Sequence, residues 1–598
     1  MIPVATRDDL PSRASPELEN TEIEGQYCDP TSGLAFLRKA WRRLSKEESN
    51  AVSEALDGSE ERQRLMTAGD KPLDLGDETQ SIVPEKSTAL ELMEFYFDVG
   101  VVTYRLLHRQ TVFGWLDTLQ ANIQDSLAMP HKLGEAKASI ILTIFAIVIL
   151  RKEKIKDISG DHTWSLTWSD QLFRKAIHLT DSETGLPRLE SAQARLIQVL
   201  YLLQTSRMNQ AWYVFGNAVQ VIIALGLHRR SVRTWNKDSS KGHSRDYINV
   251  QCRKRTFWVA YTIDKYLGFV FGRPRHFHDD DIDQDFPDHV NDEDMTQQGP
   301  SSSEPLQDCH LDSLIFHAKL AQIIGKISRE VYSIKRMRKY DRVAAARRLG
   351  EELHKWRASL PPHLGTVRPH SLMPSFRRQA TALKLAYSHA VMHANRPFLL
   401  GSASGENDIP AVKDSVAECI SSARVALETV DSMAGDGTLF HAFWWTPYVT
   451  FCALAVVYVW EIQLNSHADG TASHNESDLA RLSDLAERCH SHLARATAAD
   501  SPGRRYSVIL EELRSEARLH STPSGVESAG LSQQEATSHL ADHTIHTDAP
   551  RTLGVSENTG PHVGTDPLSM NNLLEEWQTN DWLDLDSSVS SLPKRLVR

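Results

Sequence analysis

The sequence predicts an all-α fold, with one large multi-helix domain between a disordered N-terminal linker and a disordered C-terminal tail. From residue 87 to about residue 520, apolar residues recur at spacings of three and four, and few segments alternate as a β-strand would. Outside this range Ser, Thr, Pro, Gly and charged residues dominate, and they bury too little apolar surface to fold unaided. Of the 598 residues, 41% are hydrophobic and 24% charged, close to an average soluble protein.

The chain is expected to divide into four parts. Residues 1–85 form a mostly disordered linker with one short amphipathic helix at residues 32–44, whose predicted apolar face consists of Leu34, Leu37, Trp41 and Leu44. Residues 86–520 form the helical domain. Residues 521–565 form a second disordered linker. Residues 566–598 form a C-terminal segment in which leucines and tryptophans alternate with carboxylates.

Two helices within the domain have predictable ends. One covers residues 211–225 and ends at Gly226, and another covers residues 257–271 and ends at Gly272 and Pro274. Their apolar faces consist of Trp212, Phe215, Val219 and Ile222, and of Trp258, Tyr261, Ile263, Leu267 and Val270.

The most apolar segment, residues 440–460, approaches the roughly 20 residues that a helix needs to cross a bilayer. It contains His441, Thr446 and Pro447, and no cluster of Lys and Arg flanks it to orient a span. We therefore expect a buried core helix and no membrane partner.

Charge and cysteine spacing exclude two classes of function. The net charge of −12 provides no general attraction to nucleic acid over the whole surface. Each of the six cysteines lies more than thirty residues from the next, so no local zinc ribbon or finger is present. The thiols are expected to be free and buried. We also find no G-x-S-x-G motif and no phosphate-binding glycine loop, and we expect no enzyme.

Four segments, at residues 96–115, 211–230, 252–287 and 383–400, each contain a short motif that includes basic residues together with His, Gly or Pro. Their motif residues are, in order, His108 and Arg109; Leu225, Gly226, Leu227, His228 and Arg229; Arg253, Lys254, Arg255, Phe257, Trp258, Asp264, Gly272, Arg273, Pro274, Asp281 and Asp283; and Arg396 and Pro397.

In this order the four segments resemble the middle homology region of fungal zinc-cluster transcription regulators, which is the fungal-specific transcription factor domain. The resemblance covers about half of the chain, roughly residues 90–400. Gln251 departs from the family pattern, because an acidic residue is common there, and Lys265 replaces the usual Arg. Lys lacks the planar fork of Arg, so any ion pair with Asp264 should be looser.

The family's zinc cluster of six cysteines, which places a helix in the DNA major groove, has no counterpart here. Cys28 alone cannot hold a metal, so we expect no cofactor in this chain, with zinc present only if an upstream cluster is missing from the sequence. The chain either lacks an upstream part or reaches DNA through partner proteins. Residues 27–37 resemble the linker that follows the cluster in relatives, which favours the first alternative.

The resemblance implies a nuclear regulator of RNA polymerase II transcription, of the kind that activates a fungal secondary-metabolite or nutrient-use gene set. It implies coactivators as partners, a homodimer or a heterodimer with zinc-cluster regulators, and direct DNA contact only if the missing cluster exists. One alternative is a co-regulator without a cluster that acts through partner DNA-binding proteins. Another is a metabolite-sensing module in which the helical domain encloses a small molecule.

Charged residues near the Gly-Arg-Pro motif are expected to pair with one another. The basic triplet at residues 253–255 is predicted to open a helix, where cations oppose the helix dipole and need acidic partners. We expect these partners in the acidic run at residues 279–285 rather than on a phosphate or carboxylate ligand. Arg273 is expected to pair with Asp281 or Asp283.

Three other clusters have a simple structural interpretation. His276 and His278 with the following aspartates could bind a divalent cation, but a solvated acidic loop is favoured. His389 and His393 are four residues apart, yet without a third ligand they indicate a packed helix face. The basic residues 335–348 indicate a solvated helix face rather than an import signal or a DNA contact. The opposite face is predicted to carry Met337, Tyr340, Val343 and Ala344.

The C-terminal segment is predicted to activate transcription. Its carboxylates repel one another and keep the apolar side chains exposed for a coactivator groove, and a helix docked on the domain is the alternative. The apolar residues are Leu573, Leu574, Trp577, Trp582, Leu583 and Leu585.

Overall fold

In the computed structural model, the described residues are 21–23, 26–33, 35–36, 40, 83–156, 163–205, 207–230, 246–301, 308–335, 337–367, 371–400, 410–435, 444–466, 476–496, 510–511 and 513–514. The C-terminal linker and the predicted activation segment lie outside these residues.

The described part of the chain is mostly helical, so the predicted all-α fold is confirmed. Fourteen α-helices are present there. They are preceded in the sequence by a small antiparallel hairpin of β1 (Thr21–Ile23) and β2 (Gln26–Cys28). The hairpin is not predictable from sequence, because strands of three residues are too short to show alternation.

The helices follow one another in chain order as α1 (Lys86–Phe95), α2 (Arg109–Gln124), α3 (Glu135–Lys156), α4 (Thr163–Asp181), α5 (Leu189–Gln204), α6 (Met208–Ala224), α7 (Tyr247–Phe271), α8 (Asp312–Glu330), α9 (Lys339–Ala358), α10 (Pro362–Gly365), α11 (Pro374–Leu399), α12 (Pro410–Gly435), α13 (Thr446–Ser466) and α14 (Glu476–Ala496). A π-helical turn, Tyr96–Gly100, continues α1.

Two helices without a polar face lie inside the domain. Residues 140–150 of α3 are buried throughout, and α3 packs between α4 and α5. The segment Thr446–Leu464 of α13 is long and apolar enough to cross a membrane, but 78% of its most apolar window is buried by the other helices. It starts later than predicted, with Pro447 in its first turn, where the missing N–H breaks no helical hydrogen bond.

The predicted ends of α6 and α7 are confirmed, because Gly226 and Gly272 follow them with left-handed φ angles of 62° and 61°. Trp258 and Tyr261 are buried as predicted, whereas Trp212 is half-buried. The start of α7 differs from the prediction. The helix begins at Tyr247, and the side chain of Asp246 caps it by accepting a hydrogen bond from the N–H of Ile248.

The short N-terminal helix is described at Gly33, Ala35, Phe36 and Ala40. Phe36 and Ala40 are buried against the domain. Leu34, Leu37, Trp41 and Leu44, which were expected to form its apolar face, lie outside the described residues.

Candidate functional site

Residues 276–297, which we call the acidic strap, run antiparallel along α7 and cover it from Asp264 back to Tyr247. At one end the N–H of His276 donates to Asp264 Oδ1 at 2.8 Å. At the other end the N–H of Tyr247 donates to the carbonyl of Gln297 at 2.9 Å. The strap brings most of the motif residues into one polar network.

The basic triplet does not open a helix as predicted, because α7 begins six residues earlier, at Tyr247. Its three cations have different partners. Arg253 donates to the carbonyl of Leu225 at 2.9 Å, and Lys254 Nζ lies 2.7 Å from Asp288 Oδ1. Arg255 Nη1 donates to Asp292 Oδ1 at 2.6 Å. All three contacts are within the protein, as expected for internal pairing.

The acidic partners lie further along the chain than residues 279–285, so that part of the prediction is wrong. Ten residues of α7, from Asp264 to Lys254, span about 15 Å. Twelve extended residues would reach about 40 Å, but the strap uses the twelve from His276 to Asp288 to cover this length, so it is far from fully extended. The level of the triplet is therefore reached only at Asp288.

Asp292 joins the first and third motif segments. Its Oδ1 binds the buried Arg255, and its Oδ2 accepts the N–H of Arg109 at 2.8 Å. Its carbonyl oxygen lies 3.3 Å from His108 Nε2. Burial alone would raise the pKa of Asp292, but the Arg255 guanidinium outweighs that effect and the pKa is lowered. The carboxylate therefore stays charged and holds the start of α2 against α7.

The second motif segment, which follows α6, contacts the middle of the strap. The carbonyl of His228 accepts the N–H of Asp283 at 3.3 Å, and Arg229 Nη2 lies 3.1 Å from Asp283 Oδ2. Arg230 pairs with Asp285. Leu227 is buried beneath these contacts. Because both ion pairs are about half exposed, they position the strap more than they stabilise the fold.

Phe257 and Trp258 anchor the strap to the core. Phe257 is fully buried, and the indole N–H of Trp258 donates to the carbonyl of Asp285 at 2.8 Å. The Trp258 ring stacks on Phe286 with centroids 4.2 Å apart. One buried aromatic side chain thus combines an apolar contact with a hydrogen bond to the strap backbone.

Asp264 is fully buried and is satisfied mainly by the backbone. It accepts the N–H groups of His276 and Phe277 at 2.8 and 3.1 Å. Lys265 Nζ lies 3.7 Å from Asp264 Oδ2 and donates to the carbonyl of Phe277 at 2.5 Å. The long ion-pair distance agrees with the loose pairing expected of Lys at this position.

The expected pair between Arg273 and Asp281 or Asp283 is wrong. Arg273 Nη2 donates to Asn209 Oδ1 at 3.0 Å, and its guanidinium lies over the Trp212 ring at 5.3 Å. The left-handed Gly272 turns the chain toward α6 before the strap begins, so Arg273 faces α6 instead of the acidic run. Pro274 and Asp281 are exposed.

The acidic run is balanced by hydrogen-bond donors and cations. Asp279 accepts the hydroxyl of Tyr261 at 2.6 Å and pairs with Arg329 at 2.7 Å. In the part of the chain that the structure describes, the side chains grouped closely enough to bind a metal are instead His289, Cys309 and Asp312, with ligand atoms within 4.8 Å.

Sequence spacing did not reveal this group, because its members come from the strap and the start of α8. His289 Nδ1 lies 2.6 Å from Asp312 Oδ1, and Cys309 Sγ lies 3.6 Å from Asn291 Oδ1. These hydrogen bonds account for the arrangement without a metal ion.

The fourth motif segment lies in α11, where Pro397 is inside the helix. Proline has no N–H, so the carbonyl of His393, four residues earlier, loses its helical partner. The hydroxyl of Tyr332 replaces that partner and donates to the His393 carbonyl at 2.8 Å. Arg396 Nε lies 3.1 Å from the same hydroxyl. The Arg-Pro motif thus creates a defined contact between α11 and the end of α8.

His389 and His393 form a packed helix face, as the sequence indicates. His389 stacks on Phe269 and His393 stacks on Tyr332, with centroids 4.6 Å apart in each pair. Burial and, secondarily, the charge of Arg396 lower the pKa of His389 to about 3. The same causes lower the pKa of His393. Both rings are therefore neutral at physiological pH.

Most basic residues of α9 lie on a solvated face, but Arg342 is buried, so the prediction is wrong for this residue. Arg348 pairs with Glu330 and Glu352, and Arg347 lies 3.8 Å from Glu351. Tyr340, which was assigned to the opposite apolar face, is 78% exposed instead. Intrahelical and interhelical pairing therefore accounts for much of this charge.

Comparisons with known proteins show which family model and which relatives this chain resembles. Residues 93–358 match the fungal specific transcription factor domain. The chain is 25% identical over 522 residues to Activator of stress genes 1 of Saccharomyces cerevisiae, covering 83% of this chain and 51% of that protein.

It is 23% identical over 423 residues to the transcriptional activator protein acu-15 of Neurospora crassa, covering 69% of this chain and 42% of that protein. It is 23% identical over 381 residues to the agnestins biosynthesis cluster transcription factor AgnL11 of Paecilomyces divaricatus, covering 62% and 54%. The chain thus spans about half the length of these relatives. Residues 93–358 are thus similar to the fungal specific transcription factor domain, and the relatives named above are transcriptional regulators.

Proposed function

We propose that this chain is a nuclear regulator of RNA polymerase II transcription that activates one fungal gene set, for secondary metabolism or nutrient use. The domain match carries this proposal. Relatives named as transcriptional activators support the direction of control, and a relative named for a biosynthesis cluster supports a single pathway as the target.

The charge network indicates how the domain acts. The cations of the basic triplet bind a carbonyl or carboxylates of the protein, so they are not displayed for phosphate. With a net charge of −12, the chain as a whole does not attract DNA either. DNA contact is therefore assigned to an upstream cluster or to a partner protein, and the helical domain regulates that contact.

A gel-shift experiment separates these two routes. The purified chain is mixed with promoter DNA of the regulated genes, alone and with a zinc-cluster relative from the same cell. We expect a specific shift only when the relative is present, through a heterodimer. A specific shift by the chain alone would contradict the assignment.

Activation is assigned to residues 566–598, with coactivators as the partners. These residues are fused to a heterologous DNA-binding domain, and reporter activity is compared with a variant that carries Trp577→Ala and Trp582→Ala. We expect the double substitution to abolish activation, because a coactivator groove would lose its two largest apolar contacts. A silent parent fusion would contradict the role of this segment.

A cavity of about 590 Å³ supports metabolite sensing as a second function. It lies between the end of α11, α12 and α13, and its walls include Phe398, Ile420 and Trp460. Lys413 and Arg424 add positive charge to this mostly apolar lining. The lining suits a small molecule with an apolar body and an acidic group.

Thermal-shift screening with such acids tests the sensor. We expect the melting temperature to rise for the full chain and to rise less for Arg424→Gln. Arg481→Gln, which changes an exposed cation on α14, is the matched control. A flat response to all apolar acids would contradict metabolite sensing while leaving the transcriptional role intact.

A further inference from the structure

Residues 29–33, 35 and 36, which we call the N-terminal latch, lie in a socket formed by the end of α7, the residues after α8, α11 and α13. Thr31, Ser32 and Phe36 are buried there, although more than 200 residues of chain separate them from each of these elements. The latch is therefore held by long-range contacts.

Three elements bind the backbone of the latch. The N–H of Asp29 donates to the carbonyl of Gly272 at 2.7 Å. Arg396 Nη2 donates to the carbonyls of Thr31 and Ser32, the latter at 2.9 Å. The N–H of Gly33 donates to the hydroxyl of Tyr448 at 3.2 Å. The socket thus recognises one backbone conformation.

Gly272 leaves space for the latch. A Cβ atom at this position would lie 2.7 Å from the nitrogen and 2.8 Å from the carbonyl oxygen of Asp29. Gly226 has nearly the same φ angle, but a Cβ atom there would meet nothing within 4 Å. Gly272 therefore needs to lack a side chain both because its φ angle is left-handed and because the latch backbone lies against it. Gly226 needs to lack one only because of its φ angle.

Arg396 depends on the latch for its hydrogen bonds. It is buried, and no described carboxylate forms an ion pair with it. The two latch carbonyls, the Tyr332 hydroxyl and the Phe36 ring, 5.4 Å away, surround its guanidinium. If the latch leaves, this buried cation loses both carbonyls and one ring.

The chain between the latch and α1 is long enough that the covalent connection alone does not hold the latch in its socket. Residues 37–85 separate the two, and a chain of that length can reach on the order of 100 Å when extended. The latch is in effect a tethered ligand, with an effective concentration of about millimolar order. A competing ligand or partner can displace it without unfolding the domain.

We propose that the N-terminal latch is a reversible intramolecular ligand of the domain, through which motif residues Gly272 and Arg396 control the part of the chain before Asp29. Docking restrains that part, and release frees it. The consequence for transcription rests on the proposed function, but the docking itself does not.

A disulfide test measures docking in the purified full chain. A Cβ atom at Gly33 would lie 3.5 Å from Cys452 Sγ, so Gly33→Cys should form a disulfide with the native Cys452 under mild oxidation. Mass spectrometry of the unreduced digest follows its formation. Gly350→Cys, where a Cβ atom would meet nothing within 4 Å, is the control that should not cross-link. A folded Gly33→Cys chain that does not cross-link would overturn the proposal.

Two glycine substitutions separate the latch from backbone strain. Added to Gly33→Cys, Gly272→Ala should slow the cross-link at least tenfold, whereas Gly226→Ala should not, although both impose a left-handed φ angle on alanine. Circular dichroism checks that both variants fold. A free peptide of residues 26–40, added to the Gly33→Cys chain, should also slow cross-linking. Equal rates for the two alanine variants, or no effect of the peptide, would overturn reversible docking.

A reporter assay then reads the consequence. We expect Gly272→Ala to change the output of the full chain at least threefold relative to Gly226→Ala at equal protein levels. Equal outputs would overturn regulation by the latch. A chain that drives no reporter in any form would contradict the proposed function instead, and the cross-linking result would stand.

Discussion

The two sides of the domain handle buried polar groups in different ways. Along the acidic strap, cations of α7 meet carboxylates, as Arg255 meets Asp292. Around α11, His389 and His393 lie among aromatic rings, and burial keeps them neutral. On the strap side, ion pairs fix the path of a loop. On the histidine side, the imidazole rings are neutral, and this allows them to pack among aromatic rings.

This difference explains why motif residues concentrate on the strap side. A loop of more than twenty residues has many possible paths along a helix, and specific pairs such as Lys254 with Asp288 select one. A packed aromatic face tolerates several side chains of similar volume. The two sides should therefore respond differently to substitution and to pH.

The largest loss of stability is expected from Trp258→Ala. The substitution removes a buried ring and its hydrogen bond to the strap, and should lower the free energy of unfolding by about 3–5 kcal/mol. Urea denaturation measures this loss. Trp212→Ala, at a half-buried ring on α6, is the control and should cost less. An unchanged midpoint for Trp258→Ala would show that the strap does not depend on this anchor.

Arg255→Met should be nearly as costly, about 3–5 kcal/mol, because it leaves the Asp292 carboxylate buried without its cation. Replacing both partners, with Arg255→Met and Asp292→Leu, should restore part of the loss. Arg348→Met removes a half-exposed cation from α9 and should cost at most about 1 kcal/mol. Equal losses for Arg255→Met and Arg348→Met would remove the distinction between buried and surface pairs.

On the histidine side, stability should fall in acid. The pKa of His389 is about 3 in the folded chain and about 6.5 in the unfolded chain, so below pH 6.5 only the unfolded state takes up the proton. At pH 5 this costs about 2 kcal/mol relative to pH 7. His389→Phe should reduce the loss, as measured by urea midpoints at both pH values. The same pH dependence in His389→Phe would show that other groups cause it.

The smallest effect is expected from Asp283→Asn. This carboxylate is exposed and pairs with Arg229 at 3.1 Å, so water and salt already screen the pair. The melting temperature should move less than for any change above, and added salt should remove the difference. A shift as large as that of Arg255→Met would mean that exposed pairs of the strap carry stability as well as position.

Local patterns were sufficient for the fold class and for much of α6 and α7. Gly226 and Gly272 end helices because a left-handed residue stops the helical hydrogen bonding, and that requirement is visible in sequence. The buried positions of Trp258 and Tyr261 follow from helical periodicity. The candidate site was predictable as a set of internally paired charges, but the individual pairs were not.

Pairing partners depend on distances that no local rule contains. Arg273 pairs with Asn209 rather than with a nearby aspartate because the chain turns toward α6 at Gly272. The triplet pairs with Asp288 and Asp292 because the strap is not fully extended and uses about twelve residues to cover ten residues of α7. In both cases the wrong partner was predicted because residues close in the sequence were assumed to be close in space.

The sequence by itself determined that this protein is helical, where two of its helices end and which side chains form their apolar faces, because these features depend on neighbours within a few residues. Only the tertiary structure decided that Asp292 joins two motif segments and that Arg396 holds the N-terminal latch. Those contacts connect residues more than 180 positions apart, and their existence depends on how whole helices pack.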